Sequence, residues 1–262
     1  MEITSRKNQL VRYYKSLINE RKARRESGSF VAEGHKICEE AVKSGLAVKS
    51  VLATKAALDK YPETAEIVSR QCEIVVINDD ISEYISDTKT PQGFFAEVKT
   101  LDKPLNSVTI RNSTRFLILD SLQDTGNIGT IIRTGDALGI DGVILTEECA
   151  DIYSPKVIRG TMGSLFRLPC YIGKAEEFIL TLKAEGFSVY GAMLDKSAMP
   201  LNKLSFSEKS AVVIGNEGNG ICEKVQKLCT QSVYIPIENA ESLNAAVAAS
   251  ILCWEMQKQK GK

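Results

Sequence analysis

The chain has 262 residues, 44% hydrophobic and 25% charged, which suits one large or two ordinary soluble domains. Its 33 basic and 33 acidic side chains cancel, so a nucleic-acid role would have to come from local charge distribution. A membrane span needs roughly 18 apolar residues in a row, and the chain has no such run. Seven cysteines without a Cys-x-x-Cys pair, and a basic start without an apolar core, lead to the expectation of a cytoplasmic protein with reduced thiols. The single histidine, His35, excludes His-rich metal sites and any triad that needs a second histidine.

In chain order, residues 1–26 predict a basic helix. Arg6, Lys7, Arg12, Lys15, Arg21, Lys22, Arg24 and Arg25 face only Glu2, Glu20 and Glu26, while Leu10, Val11, Tyr14, Leu17 and Ile18 recur at helical spacing. A solvated face is the plain reading of such a run. Concentrated in a neutral chain, it also makes Arg6, Lys7 and Arg12 candidate contacts for RNA phosphates. Residues 27–99 alternate strands (Ser29–Ala32, Val48–Ala53, Glu73–Ile77, Phe94–Val98) with helical stretches. They hold no paired catalytic groups and read as a small α/β binding module, in which His35 is expected to be structural or solvent-facing. Residues 100–114, around Asp102-Lys103-Pro104, read as a linker.

Residues 115–262 read as a second, parallel α/β domain. Strand runs at Phe116–Asp120, Gly142–Leu145, Leu168–Ile172, Ser188–Met193 and Ala211–Ile214 alternate with helices. After the first run come Asn127, suited to cap a helix, then Gly129 and Arg133. Arg133 sits among Ile131, Ile132, Ala137 and Leu138, and a buried guanidinium there needs a partner. Pro155 opens a helix that carries Lys156 and Arg159, candidate contacts for an RNA backbone. The turn Gly215-Asn216-Glu217-Gly218-Asn219-Gly220 has the wrong glycine order for a dinucleotide fingerprint, and no Walker lysine pattern is present.

Taken together, Asn127-x-Gly129-x-x-x-Arg133, Gly215-x-Glu217-x-x-Gly220, and Ile235-Pro236 followed by Ser242-Leu243-Asn244 resemble the three ordered motifs of the SpoU/TrmH family of RNA ribose 2′-O-methyltransferases. Phe30-Val31-Ala32-Glu33-Gly34 and Thr90-Pro91-Gln92-Gly93 look like the substrate-binding domain that precedes it in the ribosomal RNA branch, similar to a kink-turn-binding ribosomal protein fold. The resemblance implies a trefoil-knotted methyltransferase domain behind a small α/β RNA-binding domain, and a homodimer with composite active sites. It implies S-adenosylmethionine held by Ala192, Met193, Gly215, Asn216, Gly220, Ile235, Pro236 and Leu243, with no metal. Arg133 matches the catalytic arginine. Its guanidinium stays protonated, so it fits better as a clamp on phosphate and developing alkoxide than as a base. Ser242 and Asn244 would position the RNA and the loop, Glu217 would order the knot, and Asn127 would cap and orient the Arg133 helix. The expected substrate is 23S rRNA. Two alternatives stand beside this: a non-catalytic RNA-binding protein on the same fold, and a methyltransferase acting on a base.

Overall fold

A computed structural model describes residues 2–195 and 197–259; Met1 and residues 260–262, the outer ends of the expected domains, lie outside the described residues. Contacts group the chain into two units, Met1–Leu101 with Asp151–Arg167, and Asp102–Ala150 with Leu168–Lys262.

In the first unit the elements run β1 (Glu2–Ile3), α1 (Gln9–Asn19), α2 (Arg21–Ser27), β2 (Ser29–Glu33), α3 (His35–Lys43), β3 (Val48–Thr54), α4 (Lys55–Lys60), α5 (Pro62–Ser69), β4 (Ile74–Ile77), α6 (Asp79–Ile85) and β5 (Phe94–Lys99). They form a mixed sheet in the order β1-β4-β3-β5-β2. The single basic helix expected over residues 1–26 is instead a two-residue strand and two helices. The break is at Glu20, whose extended backbone (φ −118°, ψ 115°) ends α1 and starts α2. Its cause is Arg24. The guanidinium turns back to donate to the Leu17 and Ile18 carbonyls at 2.6 and 3.0 Å, capping oxygens that a helix end leaves unpaired. It also donates to Asp151 at 2.7 Å, so Arg24 is buried structure and not part of a solvated face. Val11, Tyr14, Leu17 and Ile18 do form the buried stripe that the spacing predicts.

The segment Asp151–Arg167 is held in this unit by Phe30, whose ring stacks on Tyr153 (centroids 4.9 Å apart) and Phe166 (6.4 Å). Ion pairs from Arg24 to Asp151 (2.7 Å), Arg159 to Asp87 (2.6 Å) and Arg167 to Glu40 (2.9 Å) add to it.

The second unit contains α7 (Ser107–Ile110), β6 (Arg115–Leu119), α8 (Thr125–Ala137) and β7 (Gly142–Thr146). After α9 (Pro155–Thr161), part of the first unit, come β8 (Cys170–Gly173), α10 (Ala175–Ala184), β9 (Ser188–Ala192), β10 (Met199–Pro200), β11 (Ser210–Ile214), α11 (Glu223–Gln226), β12 (Gln231–Tyr234) and α12 (Ala245–Lys258). Its sheet runs β10-β12-β9-β11-β6-β7-β8, with every pair parallel. Helices on both faces of such a sheet bury its strands on both sides, and β6, β7 and β11 are buried at every position. Each buried Val, Leu or Ile side chain contributes about 1.5–3 kcal/mol. That burial is why these runs are uninterrupted apolar sequence. The expected linker is partly structured too, since α7 puts Ile110 into the core of this unit.

Candidate functional site

The polar loops of the second unit gather at the carboxyl ends of β6, β9, β11 and β12, where open parallel sheets bind ligands. After β6, Asp120 is buried and accepts the Cys222 N–H at 2.7 Å. Ser121 follows in the left-handed region (φ 59°), and its carbonyl accepts from the Asn216 amide at 2.8 Å. Asn216 also accepts the Gly218 and Asn219 N–H groups at 2.9 and 3.1 Å, which closes the glycine turn. At Gly215 a Cβ would lie 2.2 Å from the Gly220 carbonyl carbon and 2.3 Å from the Ile221 nitrogen, so only glycine fits. Gly220 itself has φ +69°. This turn holds Glu217 out as a multiple acceptor. Its carboxylate takes the Gln123 N–H at 3.3 Å, the Asp124 N–H at 3.2 Å and the Asn127 side-chain amide at 3.1 Å. Asn127 accepts in turn from the Asn244 amide at 3.0 Å. One chain of hydrogen bonds thus joins the three motif segments.

On α8 one expectation needs correction and one alternative falls away. Asn127 does not cap α8: Asp124 does, accepting the Asn127 N–H at 2.8 Å. Asp124 and Asn127 are both good capping residues, and the earlier one takes the position because the chain already turns there. That leaves Asn127 inside the first turn, buried, with its amide spent on Glu217 and Asn244. Arg133, for which a structural salt bridge was the alternative to a phosphate clamp, is exposed, and among the described residues it has no hydrogen-bond or ion-pair partner. Its sequence neighbours Ile131 and Ile132 are buried, but a helix turns 100° per residue and places position 133 with Thr130 and Ala137 on the outer face.

Burial pushes the Glu217 carboxyl up, but hydrogen bonds from its own backbone, Asn127, Asp124 and Gln123 outweigh it and hold the group below its usual range. Asn244 caps α12, accepting the Ala246 and Val247 N–H groups at 2.9 and 3.3 Å.

A cavity of about 730 Å³ lies beside these loops, within the size range of cofactor sites. It brings together Ala192, Met193, Ile235, Pro236, Ser242 and Leu243 of the expected residues. Gly215, Asn216, Gly220 and Arg133 do not line it. The first three shape the turn described above. Leu194, Tyr234, Ile237 and Leu252 line it without having been anticipated; Tyr234 directly precedes the Ile235-Pro236 motif, while Leu252 comes from α12 and carries no local signal. Largely apolar walls between main-chain segments fit the adenosine and methionine portions of S-adenosylmethionine. Among the described residues no group of three or more His, Cys, Asp or Glu could hold a metal ion.

The basic residues divide. Lys7, Arg12 and Lys156 are exposed. Arg6 is engaged by Asp80 at 2.8 Å and lies over the Tyr84 ring, 5.0 Å from its centroid. Arg159 is committed to Asp87 and, at 3.6 Å, to the buried Glu33, so it is not the open phosphate contact expected for it.

Residues 114–254 match the model of the SpoU rRNA Methylase family, and residues 8–96 match the MRM3-like substrate binding domain. The chain is similar to the 23S rRNA (guanosine(2553)-2′-O)-methyltransferase RlmP of Bacillus subtilis, at 35% identity over 98% of this chain and 99% of that one. It is 29% identical to the 23S rRNA (uridine(2479)-2′-O)-methyltransferase of Streptomyces viridochromogenes, over 98% of this chain and 92% of the other. Among solved structures it resembles an AdoMet-bound rRNA methyltransferase from Sinorhizobium meliloti, with a TM-score of 0.86 and 28% identity over 98% and 97% of the two chains.

Proposed function

The chain belongs to the SpoU rRNA Methylase family, and on that premise we propose how its residues methylate an RNA ribose. It is an RNA 2′-O-ribose methyltransferase that uses S-adenosylmethionine. The substrate is 23S rRNA. The two full-length relatives differ in the base of their target, guanosine or uridine, and share the ribose 2′-oxygen, which favours sugar chemistry over base chemistry. The higher identity to the guanosine(2553) enzyme makes that position the first to assay.

The observation that carries the reading is the Glu217–Asn127–Asn244 chain, which fixes the start of α8 against the loop that lines the cavity. When bound, S-adenosylmethionine supplies an electrophilic methyl on a sulfonium sulfur, a leaving group that needs no metal to depart. Ala192, Met193, Ile235, Pro236 and Leu243 wall the site against water and orient the donor. Ser242 aligns the ribose for in-line attack, and Asn244, held by Asn127 and the start of α12, fixes the loop that carries it. Arg133, permanently protonated, grips the adjacent phosphate and steadies the developing alkoxide, and a phosphate oxygen or water takes the proton. Lys7, Arg12 and Lys156 hold the RNA backbone. Residues 27–99 capture RNA, 100–114 link, and 115–262 transfer the methyl group in the cytoplasm, with the chain around Ile214–Asn244 threaded as a trefoil knot.

The site works as a homodimer. On α12, Val247 and Trp254 are 47% and 52% exposed and lie two turns apart on one face, so that face lacks a cover. Arg133 lies apart from the cavity lining in one chain, and a second copy packed on α12 completes the site. Trp254 is the only tryptophan, so its emission should shift to the blue as concentration drives assembly.

The test is incubation with methyl-labelled S-adenosylmethionine and unmodified 23S rRNA, followed by nucleoside analysis. Label in a 2′-O-methylnucleoside is expected. Label only in a base, or neither label nor donor binding, would overturn the reading.

A further inference from the structure

Within the first unit, we propose that His35, Tyr61 and Met162 form a stacking platform for an unpaired nucleobase of the substrate RNA. The proposal rests on the RNA methyltransferase reading above, which assigns these three residues no role. The His35 ring lies on Tyr61 with centroids 3.7 Å apart and planes within 8°. Gln92 Oε1 sits 3.0 Å from His35 Nδ1 and also accepts the His35 backbone N–H at 3.3 Å, so the ring is fixed before any ligand arrives. Two hollows of about 690 and 390 Å³ share His35, Lys36 and Met162 in their linings, so these residues form the ridge between them.

Met162 is the most telling member. It is 54% exposed and holds a left-handed backbone (φ 50°, ψ 39°), where glycine would sit without strain. A strained backbone and an exposed apolar side chain both cost stability, and their coincidence points to a use for the side chain.

The surrounding charges suit a nucleotide. Lys36 and Lys60 are exposed and have no carboxylate partner among the described residues. Of the carboxylates in the larger hollow, Glu39 is paired with Lys43 and Glu40 with Arg167, leaving Glu63. The start of α3 at Gly34 has no side-chain cap. Lys60 Nζ lies over the Tyr61 ring, 5.4 Å from its centroid. A flat ring, a soft thioether, an amide and two cations that no carboxylate neutralises match an unstacked base flanked by phosphates.

The experiment measures the affinity of radiolabelled, unmodified 23S rRNA transcript at constant salt, with methyl transfer in parallel, for wild type, His35→Ala, His35→Phe and Met162→Gly. Loss of one stacked base should weaken RNA affinity and raise KM about tenfold in His35→Ala. kcat and donor affinity should stay within twofold, and His35→Phe should restore binding. Met162→Gly should raise Tm by relieving the left-handed residue and yet weaken RNA binding, a combination that a merely structural methionine would not give. RNA affinity and KM within twofold of wild type in both His35→Ala and Met162→Gly would overturn the platform while leaving the methyltransferase reading intact. Wild type that neither binds nor methylates the transcript would overturn both.

Discussion

The two units each send a strand into a helix at a ligand-facing edge, and they finish those helix starts in opposite ways. In the second unit the start of α8 is sealed: Asp124 caps it, Glu217 takes the two N–H groups before it, and Asn127 ties both to Asn244. In the first unit α3 starts at Gly34 (φ 106°) without a side-chain cap, and the buried Glu33 beside it turns to Ser86, Thr88 and the Asp87 N–H. A sealed start is a rigid mount. It repels further anions and serves to aim what lies along the helix, here Arg133 a little over two turns on. At the open start the first N–H, that of His35, goes to the neutral Gln92 amide rather than to a carboxylate, so the partial positive charge of the helix start is not neutralised. The first arrangement suits an atom-scale transfer and the second suits capture.

Breaking what the sealed helix aims should have the largest effect. Arg133→Ala should lower kcat by about 10²–10³-fold with donor affinity unchanged, as loss of a group that meets developing charge does. Arg133→Lys should recover little, because an ammonium cannot make the two-pronged phosphate contact. Labelled methyl transfer and donor titration separate the two effects. Next is Arg24→Ala, which strips the first unit of the cap on α1 and takes the ion-pair partner from the largely covered Asp151 carboxylate. Removing one partner of a buried pair costs about 3–5 kcal/mol, to be read in denaturant unfolding. Asn127→Ala comes third: it leaves Glu217 and Asn244 short of a partner, at about 1–3 kcal/mol. Activity should fall with it even where the protein stays folded, since α8 then loses its tie to the cavity loop.

How much of this was legible in sequence depended on whether the signal was local. Phe116–Leu119 and Ala211–Ile214 read as buried parallel strands because two covered faces leave no polar alternation to confuse them. The three motif segments were readable as an ordered set. The capping residue was not, because Asp124 and Asn127 are equally suitable and only the path of the chain decides between them. The exposure of Arg133 shows in its helical neighbours, Thr130 and Ala137, and not in its sequence neighbours, which left a buried salt bridge open as an alternative. The break at Glu20 depends on an arginine folding back six and seven residues and on Asp151, far along the chain. The glycines of the 215–220 turn were given to the cofactor, whereas backbone-to-backbone approach at Gly215 already accounts for one of them. The stacking of His35 on Tyr61 joins residues 26 positions apart with no shared pattern.

The smallest effect tests whether the seal depends on charge or only on hydrogen-bond count. Glu217 has a carboxyl held below its ordinary value in the folded chain, while the unfolded chain restores that value. The folded state therefore binds its proton less readily. The stabilisation is fully present above the ordinary carboxylate range and is lost as pH falls through the depressed folded value. Glu217→Gln keeps one acceptor oxygen but does not titrate. At neutral pH the variant should be modestly less stable than wild type, because two backbone N–H groups and the Asn127 amide lose a charged acceptor. On acidification the gap should close, as wild type gives up what the variant never had. Thermal unfolding of both proteins between neutrality and the acid limit of solubility gives the answer. A gap that stays constant with pH would mean that geometry alone seals α8, and one that widens in acid would contradict the depressed carboxyl itself.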